Sequence, residues 1–422
     1  PRRTGHPRQK NSPEQTSINT ARPSLEINMQ IESIHIKNYR LFRDATLTKI
    51  SRLCILVGAN GTGKSTLFDV FSFLKDALDR NVGNAVAKRG GYKELVSRGF
   101  AHEPIEITLK FRLTITGKER LVTYLLRIEL DETGRVAIAR EVLRYKRGEK
   151  GQPFHFLDFA YGKGYAITNE EDFLKPEEKL HREEQELDAT DILAIKGLGQ
   201  FERFKAASSF RTMIENWHVS DFHITEARPS QEDGFAEHLS TRGENLSLVA
   251  NNLYANHPEN FKRVLQAMQH GVPGVSVIEP KQTEDGRLIL RFQDGSFKDP
   301  FVARHVSDGT IKMFAYLVLL NDPSPYPLLA VEEPENQLYP ALLLKLAEAF
   351  RSYAMRGGQV FISSHSPDFL NALKLEEIYC LRKENGFTQI SHASDSENLR
   401  SLVDAGDLPG YLWKQGLFEG VN

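Results

Sequence analysis

Cysteine is nearly absent from this chain: only Cys54 and Cys380 occur in 422 residues. Two thiols are too few for a disulfide scaffold or a Cys-rich zinc site, so a reducing, cytoplasmic setting is expected. Long apolar runs are lacking as well. Stretches such as MFAYLVLL (313–320) fall far short of the roughly 20 residues that a membrane span requires, and neither a transmembrane helix nor a signal peptide is expected. An excess of one charge is also missing, since Lys+Arg 54 against Asp+Glu 56 leaves a net charge of −2. Any nucleic-acid contact must then come from a local basic patch. What is present, 40% hydrophobic and 26% charged residues, is enough for two lobes around sizeable cores.

Residues 1–28 have no apolar periodicity and are rich in Pro, Ser, Thr, Asn and Gln. They read as a disordered extension ahead of a natural start at Met29, with a solvated basic tail weighed above a DNA-binding arm. Residues 29–165 read as short strands, a glycine-rich turn, a helix and then an antiparallel meander over 104–145 with turns at Gly117 and DETG. Residues 166–300 are expected to be a mostly helical lobe, its stretch from 170 to 215 helical and charged. PEEKLHREEQELD lacks the sustained apolar heptads of a coiled coil. VSVIEPKQ and GRLILRFQDG suggest a hairpin. Residues 301–390 alternate helix and apolar strand and complete the first sheet, and 391–422 form a C-terminal tail.

The motif GANGTGKST (58–66) lies between an expected strand and an expected helix, the context a phosphate-binding P-loop needs. Backbone N–H groups from Gly58, Asn60, Gly61, Gly63 and Thr66 together with the helix N-terminus form an anion nest for ATP. Lys64 would reach the β/γ-phosphates, and the Ser65 hydroxyl would ligate Mg²⁺. PLLAVEEPENQLYP (327–340) is an apolar strand ending in two carboxylates. Glu332 would hold Mg²⁺ through its water shell and Glu333 would orient the attacking water, because phosphoryl transfer depends on in-line placement. QVFISSHSPDFL (359–370) ends a third strand near His365, whose imidazole would sense the γ-phosphate. RHVSDGTIKMF (304–314) opens an amphipathic helix with Ile311 and Phe314 on one face.

In chain order, P-loop, Ser-x-Gly helix start, acidic strand end and strand-end His, the four blocks resemble ABC-type P-loop ATPases of the SMC/RecF/OLD-like branch, including stand-alone AAA-family ATPases of DNA-repair or phage-defence systems. IESIHIKNYRLFRDATL is similar to that branch's first strands. The resemblance implies an α/β ABC-type P-loop NTPase head with a mixed sheet, an antiparallel β meander and an inserted helical lobe. It further implies a homodimer, or a higher homo-oligomer, in which Ser307 and Gly309 of one subunit close over ATP held by another. Arg40 would reach the nucleotide, and Asn336 would lie in the D-loop. Two departures stand out. Glu332 replaces the commoner Asp, and no Gln occurs between Ser65 and Gln152, so the usual Q-loop residue is missing and KELVSRGFAHE (93–103) is the candidate substitute.

The leading expectation is an ATP-hydrolysing switch in anti-phage defence or DNA maintenance that controls a separately encoded effector, a nuclease above all, with DNA a candidate ligand and no membrane partner. A RecF-like repair ATPase that binds DNA directly is the alternative, with RYKRGEK (144–150) and KAASSFR (205–211) as candidate phosphate contacts. A transporter subunit is disfavoured by the meander and the missing Gln, and a scaffold without turnover by Lys64, Glu333 and His365. Asp404 and Asp407 read as solvated loop acids rather than metal ligands.

Overall fold

The computed structural model describes residues 30–146, 153–168 and 181–420. The expected N-terminal extension, the end of the RYKRGEK run and residues 169–180, at the start of the stretch expected to be helical and charged, lie outside the described residues.

Strands β1 (Gln30–Tyr39) and β2 (Phe42–Thr48) form a hairpin, and β3 (Leu53–Val57) leaves it for a second sheet. The meander continues through β4 (Ile105–Ile115), β5 (Lys118–Leu130), β6 (Val136–Tyr145), β7 (Phe154–Ala160), β8 (Lys163–Ile167) and β9 (Arg182–Glu186). Together they make an eight-stranded antiparallel sheet in the order β2-β1-β4-β5-β6-β7-β8-β9. Period-two alternation along β4 puts Ile105, Ile107, Leu109, Phe111, Leu113 and Ile115 on one buried face. Thr116 and Gly117, at φ 49° and 74°, form the two-residue turn to β5, where positive φ at both positions matches the twist of the flanking strands. The helix Lys205–Glu215 covers the buried face, with Phe210 stacked on Phe111 at 4.7 Å between ring centres.

β10 (Trp217–Ser220) joins the second sheet, while β11 (Gln231–Glu232), β12 (Val275–Gln282), β13 (Arg287–Asp294) and β14 (Phe301–Val302) build a small third one. β15 (Leu328–Glu332), β16 (Gln359–Ser363), β17 (Ile378–Glu384) and β18 (Phe387–His392) complete the second sheet in the order β10-β15-β16-β3-β17-β18. All its neighbouring pairs are parallel except β17–β18. Its central strands are buried on both faces, as continuous apolar runs such as LCILV require. Cys54, Leu56, Ala330 and Phe361 pack toward the meander and the P-loop helix Lys64–Asp79. Ile55, Val57, Val331 and Ile362 pack toward the helices Asp308–Leu320 and Pro340–Met355. Gln359, fully buried, ties the sheets together: its Oε1 accepts from Ile31 N at 2.8 Å and its Nε2 donates to Ile31 O at 3.0 Å.

Three expectations need correction. From β15 onward, the strands of residues 301–390 complete the sheet that holds β3, not the sheet of the N-terminal hairpin and meander. The charged stretch around 182–186 is the edge strand β9, paired with β8. Its Glu-rich composition favours a helix on propensity alone, and the pairing overrides it. Between 166 and 300 the chain also contributes strands β10 to β13, so helices such as Leu246–Asn256 and Pro258–Gly271 are only part of that lobe. In the C-terminal stretch, Leu399, Leu412 and Phe418 are buried. MFAYLVLL lies within the buried helix Asp308–Leu320, and among the described residues no helix is long and apolar enough to cross a membrane.

Candidate nucleotide site

Parallel strands end on the same edge of a sheet, which is where ligands of open α/β folds bind. β3 runs into the P-loop, β15 into Glu332–Glu333 and β16 into Ser363–His365. Glu332 stands opposite Ser363, and Ser363 opposite Leu56.

The P-loop is tightly wound. Gly61 and Gly63 hold φ of 77° and 101°, values that glycine reaches without a side-chain penalty. A Cβ on Gly58 would lie 2.4 Å from the Leu381 carbonyl oxygen. Asn60 and Gly61 face solvent, whereas Thr62, Gly63 and Thr66 are buried. Lys64 folds back so that Nζ donates to Gly58 O at 2.7 Å and Ala59 O at 3.2 Å. Burial pulls its ammonium below the usual lysine range, while Glu333, Glu332 and Glu335 act in the opposite direction. A phosphate entering the nest would offer that ammonium stronger acceptors than neutral carbonyls.

Ser65 opens the helix with its Oγ 2.5 Å from Glu332 Oε2. Desolvation raises the Glu332 carboxyl, and the neighbouring Glu333 adds to the rise, against the Ser65 hydrogen bond. A hydroxyl and a carboxylate, both hard oxygen donors already in contact, suit a Mg²⁺ ion that keeps several of its own waters.

Glu333 adopts φ 43°, unusual for a residue with a side chain. Its N–H is held by Ser363 O at 3.0 Å, and the turn carries its carboxylate past the strand end. Oε2 accepts from Asn336 Nδ2 at 2.9 Å, and Oε1 faces His365 Nδ1 at 3.4 Å. His365 is half-exposed, with its side chain 50% accessible.

Sequence reasoning passed over two residues that organise this corner. Glu335 is buried, and its Oε1 accepts from Ser364 Oγ at 2.8 Å and from the His365 backbone N–H at 3.0 Å. Its Oε2 is buried without a hydrogen-bond partner among the described residues. Lys312, also buried, donates from Nζ to Asn336 O at 2.7 Å. Burial pushes its ammonium down to about 8, with Glu335 and Glu333 opposing the fall. The helix Asp308–Leu320 is thereby tied to the turn that holds Glu333. Only the position of Glu335 within EEPEN offers a sequence signal.

Ser307 and Gly309 stand apart. Ser307 caps its helix by accepting from Thr310 N at 3.3 Å, and Asp308 pairs with Arg228. A Cβ on Gly309 would lie 2.8 Å from Gln337 O, so this helix start abuts the segment after Asn336. Among the described residues, no hydrogen bond or ion pair joins Ser307 or Gly309 to the P-loop, Glu332, Glu333 or His365. Arg40, at φ 49°, lies beside the P-loop helix with Nη1 3.1 Å from Asp69 Oδ2. The 93–103 segment is pinned by the fully buried Asn38, whose Nδ2 donates to Phe100 O at 3.0 Å and to Glu103 O at 2.7 Å. None of its side chains bonds to Lys64, Ser65, Glu332 or Glu333 among the described residues. Asp404 is exposed, and no cluster of metal-ligating residues forms around it or Asp407 among the described residues.

A family model described as "AAA domain, putative AbiEii toxin, Type IV TA system" matches residues 53–371. No curated protein is similar enough to count as a match. Solved structures similar to the chain include the SmcHead bound to the C-winged helix domain of ScpA, at 15% identity over 86% of this chain and 97% of that one, with a TM-score of 0.48. The SMC head domain from Thermotoga maritima matches at 15% identity over 86% and 98%, with a TM-score of 0.42. A Pyrococcus furiosus Smc head domain with an extended coiled coil, bound to the C-terminal domain of ScpA, matches at 14% over 89% and 100%, with a TM-score of 0.44.

Proposed function

From the premise that the chain belongs to the AAA-domain family described as putative AbiEii toxin, Type IV TA system, we propose that it is a Mg²⁺-dependent ATPase. We further propose that it works as a homodimeric switch, in a defence or DNA-maintenance setting, that controls a separately encoded effector. The observation that carries the catalytic part is the contact of Ser65 Oγ with Glu332 Oε2, beside Lys64 and next to a Glu333 held by Asn336 and facing His365. These groups come from widely separated parts of the chain and meet only through the fold.

In this reading the P-loop N–H groups and Lys64 bind the β- and γ-phosphates. Ser65 and Glu332 would hold Mg²⁺, which when bound neutralises charge on the phosphate oxygens. Glu333 positions a water in line with the γ-phosphate and accepts its proton as the bond from water oxygen to phosphorus forms and the bond from phosphorus to the β-phosphate oxygen breaks, releasing ADP. His365 donates toward the γ-phosphate and faces Glu333 at the same time, so loss of that phosphate changes what holds the Glu333 carboxylate. Ser307 and Gly309, with the N-terminal end of their helix, supply the second half of the site to ATP bound by another copy. The defence role draws on the family's description, and control of an effector on the earlier resemblance.

ATP binding and phosphate release by the purified full chain test the catalytic part. Wild type is expected to bind and hydrolyse ATP only with Mg²⁺, and Lys64→Ala to lose detectable binding. Equal binding by the two proteins would reject the P-loop assignment. A rise in turnover on adding duplex DNA alone would favour the direct DNA-binding alternative.

A further inference from the structure

The hairpin of β17 and β18 follows the family-matched residues 53–371, and it touches the P-loop where the loop is tightest. Thr388, on β18, is 1% exposed. Its hydroxyl donates to Thr62 O over 2.7 Å, and its backbone N–H donates to Leu41 O over 2.9 Å. One residue therefore joins the P-loop to the turn that carries Arg40. There is no slack in this joint, because a Cβ on Gly63 would lie 2.5 Å from Thr388 Oγ1. The neighbouring Phe387 meets Phe100 with ring centres 5.8 Å apart, and the Arg43 guanidinium lies 3.7 Å from the Phe100 ring centre.

We infer that Thr388 is a positioning residue for the phosphates of the bound nucleotide. The Thr62 carbonyl and the Gly63 N–H belong to one planar trans peptide and point in opposite directions. A hydroxyl that fixes the carbonyl on the hairpin side therefore fixes the N–H on the opposite side, where the anion nest lies. The same residue's backbone sets the height of the Arg40 turn against the loop. Valine has nearly the same shape but cannot donate. Its methyl group cannot approach a carbonyl oxygen as closely as the hydroxyl does, so the peptide must tilt and a buried acceptor loses its donor. Serine keeps the donor.

The inference rests on the nucleotide-binding reading above, and the experiment separates the two. The affinity of full-length wild type, Thr388→Val and Thr388→Ser for a fluorescent ATP analogue with Mg²⁺ is measured beside their thermal unfolding midpoints. Thr388→Val is expected to bind about tenfold or more weakly, and Thr388→Ser within about threefold of wild type, as loss and retention of one buried hydrogen bond require. Both midpoints should stay within a few degrees of wild type. The rescue by serine is what a role in packing alone would not produce. Wild-type affinity in Thr388→Val, or equal loss in both variants, overturns the inference while leaving the nucleotide reading intact. A wild type that binds no ATP analogue overturns both.

Discussion

Lys64, Ser65, Glu332, Glu333 and His365 converge within a single chain, whereas Ser307 and Gly309 meet none of them. The first group is closed by its own bonds: Lys64 on loop carbonyls, Ser65 on Glu332 and Asn336 on Glu333. The second is presented outward, with Arg304, His305, Ser307 and Asp308 exposed. It is nevertheless rigid, because Ser307 caps the helix and Arg228 holds Asp308. A rigid, exposed helix start suits contact with another molecule, while the converged group suits a phosphate held in place. The two regions are not independent. Lys312, one turn into this helix, bonds to the carbonyl of Asn336, whose side chain holds Glu333. The two hydrogen bonds make a continuous link from that helix to the Glu333 carboxylate.

The largest effect that would break this contrast is expected from Ser307→Arg. A long cation at the helix start should lower turnover by about a hundredfold or more, the scale of losing an electrostatic contact to the transition state. Monomer affinity for ATP should remain within about twofold of wild type. Normal hydrolysis by this variant would show that the exposed region takes no part.

Smaller, and chosen to sharpen the contrast by exclusion, is an effect at Glu141. This carboxyl is buried in the meander and accepts from Ala194 N at 2.5 Å, Ile195 N at 3.1 Å and Tyr124 Oη at 3.1 Å. Burial pushes it up to about 7, although those hydrogen bonds pull it down. An unfolded glutamate loses its proton near about 4.3. Between these values the native state binds the extra proton, so the contribution of Glu141 to stability falls as pH rises through this window. Relative to Glu141→Gln, wild type should lose up to about 3 kcal/mol between pH 4.5 and 7.5. Denaturant titrations at several pH values read this difference directly. Turnover of the two proteins at one pH should agree, since the hydrogen-bond partners of Glu141 are Tyr124, Ala194 and Ile195, none of which belongs to either region.

Features carried by contiguous residues were legible in the sequence. LCILV followed by GANGTGKST could only be a buried strand, a tight turn and a helix, and IEITLKFRLTI alternates too regularly to be anything but a half-buried strand. The apolar runs ending in EE and SSH placed their acids and histidine at strand ends before any pairing was known. Thr388, Glu335, Lys312 and Gln359 were not legible. Each is a single polar residue whose meaning depends on a partner far away in the chain or on burial, and neither leaves a local pattern. REEQE was misleading for a related reason: its composition favours a helix, and only the edge of β8 makes it a strand. The missing Gln before Gln152 was legible only as an absence. It could not reveal that Asn38, upstream of the P-loop, pins the 97–103 segment.

Two copies are expected to close over ATP, each contributing one of the contrasted regions. The most direct measurement is the solution mass of Glu333→Gln with and without ATP and Mg²⁺. This variant is expected to bind ATP, to turn it over at least about a hundredfold more slowly because the positioned base is gone, and to shift from monomer to dimer only when ATP and Mg²⁺ are both present. A mass that stays monomeric while ATP is demonstrably bound would contradict the account.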